Sequence, residues 1–99
     1  MMREVIVSVQ VLDKLSDIVI YLRDELKLSE SAAMAYRERF ITFIQSFCVK
    51  VDHPLCRFKK WRIYGYRCAV FEKNWILAYE VLEEGVIVRD LSHTSLLTE

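Results

Sequence analysis

The hydrophobic period changes twice along this chain, and that limits the fold more than any single motif does. The run "EVIVSV" (Glu4 to Val9) is β-branched, with Val5, Val7 and Val9 alternating against Ile6 and Ser8, and it predicts an opening strand. From Val11 onward Leu12, Leu15, Ile18, Val19 and Leu22 fall at helical spacing. Leu26 closes that stripe, and Asp13, Lys14, Asp17, Arg23 and Asp24 lie on other faces. This predicts an amphipathic helix of about four turns. "LSES" (Leu28 to Ser31) interrupts the pattern, with Ser29 placed as an N-cap and Glu30 at the positive end of a second helix, predicted from about Glu30 to Val49. Its inward stripe is Ala33, Tyr36, Phe40, Phe43, Ile44 and Phe47, while Arg37, Glu38 and Arg39 face water.

Pro54 ends the helical part, and the period then turns to that of strands. "RFKKWRIY", "YRCAVFE", "WILAYEVL" and "VIVRDL" predict four strands, with bends at Gly65, Lys73-Asn74 and Glu83-Glu84-Gly85 that suit antiparallel hairpins. The predicted order is β-α-α-β-β-β-β. It is an α+β fold in which an antiparallel helix hairpin packs on one face of a mainly antiparallel, twisted sheet. The other face meets solvent or a ligand. With 99 residues, two glycines and one proline, the chain is expected to form a single domain over 1–99 with short connections. Its 54% hydrophobic content leaves apolar surface for a partner.

Lys and Arg number 14, as do Asp and Glu, so attraction to nucleic acid has to come from local clustering. One such cluster exists. "CRFKKWRIYGYR" (Cys56 to Arg67) carries Arg57, Lys59, Lys60, Arg62 and Arg67, and no carboxylate lies between Asp52 and Glu72. On a strand, alternation puts Arg57, Lys59 and Trp61 on one face and Phe58, Lys60 and Arg62 on the other, so a merged patch requires a twist or bulge. Trp61, Tyr64 and Tyr66 fit either base stacking or a core.

Cys48, Cys56 and Cys68 are odd in number and lack C-x-x-C spacing, so they read as reduced, buried thiols, with no metal and no cofactor expected. The N-terminal apolar run is too short to span a membrane, is broken by Gln10 and has no small-residue cleavage pattern. The cytoplasm is therefore the default location, with no membrane partner.

The helix pair, "GYR" (Gly65 to Arg67), "NWILAYEV" and the closing "GVIVRDLSH" together resemble the RelE/ParE superfamily of bacterial toxins from toxin-antitoxin modules. The likeness runs from the first strand to His93. It implies a plasmid-stabilisation type toxin held inactive by a cognate antitoxin. Some relatives cut messenger RNA on the ribosome, and others poison DNA gyrase without cutting nucleic acid.

In the ribonuclease branch the resemblance places Arg67 at the scissile phosphate, Lys60 beside it, and His93 near the last strand as acid-base group. Phe58 stands where a second lysine is common, Thr94 where some members have an Arg, and "TSLLTE" supplies no C-terminal Tyr. The expected catalytic set is therefore Arg67, Lys60 and His93, with Arg57, Lys59, Arg62 and Tyr66 binding RNA. Cleavage at a 2′-OH needs a base, positive charge on the phosphate and an acid for the leaving oxygen. The expected function is a RelE-like messenger RNA endoribonuclease. The alternatives are a ParE-like gyrase inhibitor and a degenerate toxin that only binds its antitoxin. All share an antitoxin whose flexible segment folds onto apolar surface.

Overall fold

The computed structural model describes residues 3–96. Strand β1 (Glu4–Val7) leads into α1 (Val9–Asp24), and α2 (Glu30–Gln45) follows and runs out through a 3₁₀ turn at Ser46–Cys48. A one-turn helix, α3 (Lys59–Arg62), precedes β2 (Arg67–Phe71), β3 (Trp75–Val81) and β4 (Gly85–His93), and a last 3₁₀ turn covers Thr94–Leu96. The fold is α+β, as the change of period predicts. The strands form one sheet in the order β1-β4-β3-β2. Pairing is antiparallel between β2 and β3 and between β3 and β4, whereas β1 lies parallel to β4.

Capping serines set both helix starts. Ser8 leaves β1 with extended backbone and its hydroxyl accepts the N–H of Val11, while Ser29 does the same for Ala32. Val11, Leu15, Ile18 and Leu22 are the buried positions of α1. The stripe is thus rotated from the predicted one, because Leu12 is about half exposed and Leu26 lies beyond the helix and is also exposed. On α2, Ala33, Phe40 and Ile44 are buried, Phe47 is buried just after it, and Tyr36 and Phe43 are half-buried. These residues meet Ala69, Phe71, Leu77, Tyr79, Val86, Val88 and Leu91 in the main core between the helices and the sheet. Trp75 packs against this core and Tyr79 is within it.

Two expectations are corrected. The strand predicted over Arg57–Tyr64 is instead a turn of helix, so three strands rather than four follow the helix pair. Phe58 and Trp61 are three residues apart and their rings meet edge to face at 5.8 Å, whereas Ile63, which a strand would bury, is 73% exposed. Helical spacing lets one turn plant Trp61 without needing a third apolar position. Second, Cys56 and Cys68 are disulfide-bonded, with Cα atoms 4.9 Å apart, and only Cys48 is a free thiol. Spacing in sequence hides this pairing, because the cysteines are 12 positions apart and only chain reversal after α3 makes them neighbours.

Candidate nucleic-acid interface

The cationic segment folds back onto the sheet face opposite the helices. Residues 54–56 first run beside β2: Cys56 N–H donates to the Tyr66 carbonyl, Cys68 N–H donates to the Pro54 carbonyl, and Leu55 bridges to Arg67. α3 then carries Trp61 onto Ile76 and Ala78, and with Cys56 these form a second, smaller core flanked by Phe58, Tyr66 and Cys68. Gly65, at φ 73°, takes the left-handed turn that returns the chain to β2.

A bulge in β4 supplies the other side of the site. Ala78 pairs with Asp90 but Tyr79 pairs with Val88, so Arg89 is the extra residue. Val88 and Leu91 both point into the main core, which leaves the consecutive residues Arg89 and Asp90 on the far face together. Strict alternation would have separated them. An open cavity of about 380 Å³ results, lined by Lys60, Trp61, Tyr64, Tyr66, Arg89 and Asp90, with Ser8 and Gln10 at the start of α1. The Tyr64 and Tyr66 rings stack at 5.3 Å, and Lys60 Nζ lies 4.8 Å over the Trp61 ring.

Asp90 is the one carboxylate lining this cavity, and its charge is already matched. Lys14 Nζ donates to it at 2.7 Å, Gln10 Nε2 at 3.2 Å, Trp61 Nε1 at 3.1 Å and the Leu91 N–H at 2.8 Å. Burial alone would raise its pKa, but the hydrogen bonds from Lys14, Leu91 and Trp61 outweigh that and hold it below the usual carboxylate range. Arg89 pairs with Glu80 at 2.7 Å on a partly exposed surface, a contact weak enough for a phosphate to compete with. Arg57, Lys59, Lys60, Arg62 and Arg67 have no carboxylate partner among the described residues, unlike Lys14, Arg23, Arg37, Arg39 and Arg89.

The three residues expected to be catalytic do not converge. Lys60 is at the cavity. Arg67 opens β2 opposite Tyr79, so it has the parity of the helix face, and its Nη1 donates to the His53 carbonyl at 2.6 Å. His93 ends β4 opposite Trp75, edge to face with its ring at 4.9 Å. The Ser95 N–H donates to His93 Nδ1, which puts the ring proton on Nε2 in the neutral form. Tyr79 and Trp75 are four residues apart on β3, so Arg67 and His93 stand more than about 13 Å apart. Of the expected RNA-binding residues, Tyr66 lines the cavity, Lys59 and Arg62 are exposed on α3, and Arg57 lines a neighbouring groove with Pro54, Leu55, Phe58, Cys68, Val70 and Ile76. Leu97, Thr98 and Glu99, which close the Tyr-free tail, lie outside the described residues.

Two groups escape a reading by periodicity. His53 Nδ1 and the Tyr79 hydroxyl are 2.7 Å apart, and the His53 ring is edge-on to Phe47 and Tyr79. Burial, with Lys50 and Arg67 nearby, pushes the His53 pKa down despite Asp52, and burial pushes the Tyr79 phenol up. Arg89 and Asp90 are the other pair. The buried positions Val86, Val88 and Leu91, spaced two and then three, are the trace a bulge leaves in the sequence.

Among the described residues no cluster of three His, Cys, Asp or Glu side chains could hold a metal ion, and no helix is long and apolar enough to cross a membrane. No protein-family model matches this chain, and neither does any curated protein sequence.

Proposed function

We propose that this chain is a toxin of the RelE/ParE kind, kept inactive by a cognate antitoxin, and that it works by holding a single RNA strand, messenger RNA at the ribosome, in the Lys60–Arg89 cavity. The observation that carries this reading is one arrangement: Lys60, which has no carboxylate partner among the described residues, and Arg89, held only by its surface pair with Glu80, flank stacked tyrosines, beside a carboxylate whose charge is already matched. Phosphates would meet Lys60, Arg89 and the flanking Arg62 and Lys59, and bases would stack on Tyr64 and Tyr66. The N-terminus of α1, which has no acidic residue in its first turn, adds partial positive charge at the rim. Cytoplasmic location belongs to this reading, since both the ribosome and the antitoxin are there.

Within this reading, binding is better supported than RelE-like cleavage. Hydrolysis at a 2′-OH needs a proton acceptor beside the phosphate. His53 packs on Tyr79 and His93 on Trp75, both on the helix side of the sheet, with the strands between them and Lys60. That separation favours, as a second reading, a ParE-like toxin that binds DNA gyrase and cuts nothing. Arg67 is assigned a positioning role at the β2 edge in either case.

The test is expression of wild type, Lys60→Ala/Arg89→Ala and Arg67→Lys in a bacterial host without antitoxin, with growth and messenger RNA 5′ ends read from the same cultures. Growth arrest that is lost in the double variant and kept in Arg67→Lys supports the cavity as the working surface. New 5′ ends alongside arrest would add cleavage. Arrest with intact messages and relaxed DNA would replace RNA by gyrase as the target.

A further inference from the structure

The disulfide and the cavity are linked by chain connectivity. Arg57, Lys59, Lys60, Arg62, Tyr64, Tyr66 and Arg67 all lie between Cys56 and Cys68. Inside that loop Trp61 is the only fully buried side chain, while Ile63 and Tyr64 are exposed at 73% and 63%. The segment is therefore held at two places: Trp61, fixed on Ile76, Ala78 and Asp90, and the base of the loop, where the disulfide sits beside the Cys56–Tyr66 and Cys68–Pro54 backbone hydrogen bonds. A segment with so few buried contacts opens locally at low cost once one of its two attachments is lost.

The two cysteines differ in access. Cys56 is 1% exposed, whereas Cys68 lines an open groove of about 350 Å³ together with Arg57, Phe58 and Val70. Arg57 has no carboxylate partner among the described residues, and its charge at the groove favours an incoming thiolate over a thiol.

We propose that Cys56–Cys68 is a thiol–disulfide exchange site at which a dithiol reductant releases the cationic loop and weakens RNA binding, an inference that rests on the cavity reading above. One thiolate of the reductant attacks Cys68 Sγ from the groove. The Cys56–Cys68 bond breaks, and Cys56 leaves as a thiolate that takes up a proton. The second thiolate of the reductant then attacks its own sulfur in the mixed disulfide and releases Cys68, which is protonated in turn. Two electrons pass from the dithiol to the protein, the reductant departs as a disulfide, and its two protons end on Cys56 and Cys68. A disulfide of this kind in a reducing compartment acts as a sensor rather than as a permanent staple.

The experiment uses the full chain, oxidised or treated with dithiothreitol, with thiols counted by mass after alkylation. Amide exchange reads the loop, and anisotropy of a short labelled oligouridine reads binding. Reduction is expected to add two alkylatable thiols, speed exchange at Trp61 to Gly65 by about a hundredfold while β3 stays protected, and weaken oligouridine binding about tenfold. Cys56→Ser/Cys68→Ser should match the reduced chain in both conditions. Because the oxidised and reduced wild type share one sequence, the comparison stands even where that variant folds poorly. Equal exchange and equal binding in the two redox states would overturn the proposal, as would a thiol count that dithiothreitol does not change. Faster loop exchange on reduction, with no binding in either state, would support the clasp and overturn the RNA-cavity reading.

Discussion

The two faces of the sheet are held by different means. On the helix face, Phe40, Phe47, Leu77, Tyr79, Val86 and Val88 are wholly buried, and the rings lie close, with Phe47 stacked on Tyr79 at 4.5 Å and Phe40 tilted against Phe71 at 4.3 Å. The far face has one large anchor, Trp61, on Ile76 and Ala78, and it relies on directional links: the Trp61–Asp90 hydrogen bond, the Lys14–Asp90 ion pair and the Cys56–Cys68 bond. Area burial is diffuse and survives small changes, whereas a few polar links can each be cut. The first face makes the domain, and the second can loosen while the domain remains folded.

The largest expected effect is on the helix face. Phe40→Ala should cost about 3–5 kcal/mol in urea unfolding, because a fully buried ring leaves a cavity among Tyr36, Phe71 and Trp75. A loss below about 1 kcal/mol would mean the two faces are not held differently.

Lys14→Met comes next, at about 1–3 kcal/mol, because it leaves a part-buried carboxylate without its cation. The acid limb should move with it. Asp90 has a folded pKa below the usual one, so its contribution is present above the unfolded carboxylate value of about 3.9 and is lost as pH falls through the folded value. In Lys14→Met the folded pKa moves back up, so this acid-dependent loss should shrink, as urea titrations at several acid pH values would show.

A smaller pH effect belongs to His53. Its folded pKa is lowered by burial and by Lys50 and Arg67, so the unfolded chain binds the extra proton first. Stability should be complete above about pH 6.5 and fall as pH drops through the folded value, with a slope of at most about 1.4 kcal/mol per pH unit. His53→Gln should flatten that slope. An unchanged slope would remove His53 from the account of how the β2 edge is held.

The smallest effect on stability is expected at the cavity rim. Lys60→Ala/Arg89→Ala should change the unfolding free energy by no more than about 0.5 kcal/mol for each residue, yet lower the salt dependence of oligouridine binding by about one unit of slope per lost phosphate contact. A variant that unfolds the chain would show that this face supports the domain after all.

Much of the helix face was legible because burial there is periodic. Leu15, Ile18 and Leu22 on α1, and Ala33, Phe40, Ile44 and Phe47 along α2 and its 3₁₀ exit, recur at helical spacing, and Ser29 stands where a capping hydroxyl is needed, whereas burial of Val11 instead of Leu12 and the cap at Ser8 emerged only in the fold. The far face was not legible in the same way. "RFKKWRIY" has strand-like composition, and only the Phe58–Trp61 spacing hints at a helical turn. The cations stood out in the sequence, but their partner Arg89 did not, because a bulge breaks the alternation from which strand faces are read.

The sequence by itself therefore determined the element types outside Arg57–Tyr64, the helix pair and most of the main core, since local periodicity and capping act over a few residues and need no distant partner. Tertiary structure alone decided that β1 lies parallel to β4, that Cys56 meets Cys68, and that Lys60 shares a cavity with Arg89 while Arg67 and His93 lie elsewhere. Each of these depends on contacts between residues far apart in the chain. Such contacts are chosen by how whole elements pack, through side chains that carry no mark of it in their own neighbourhood.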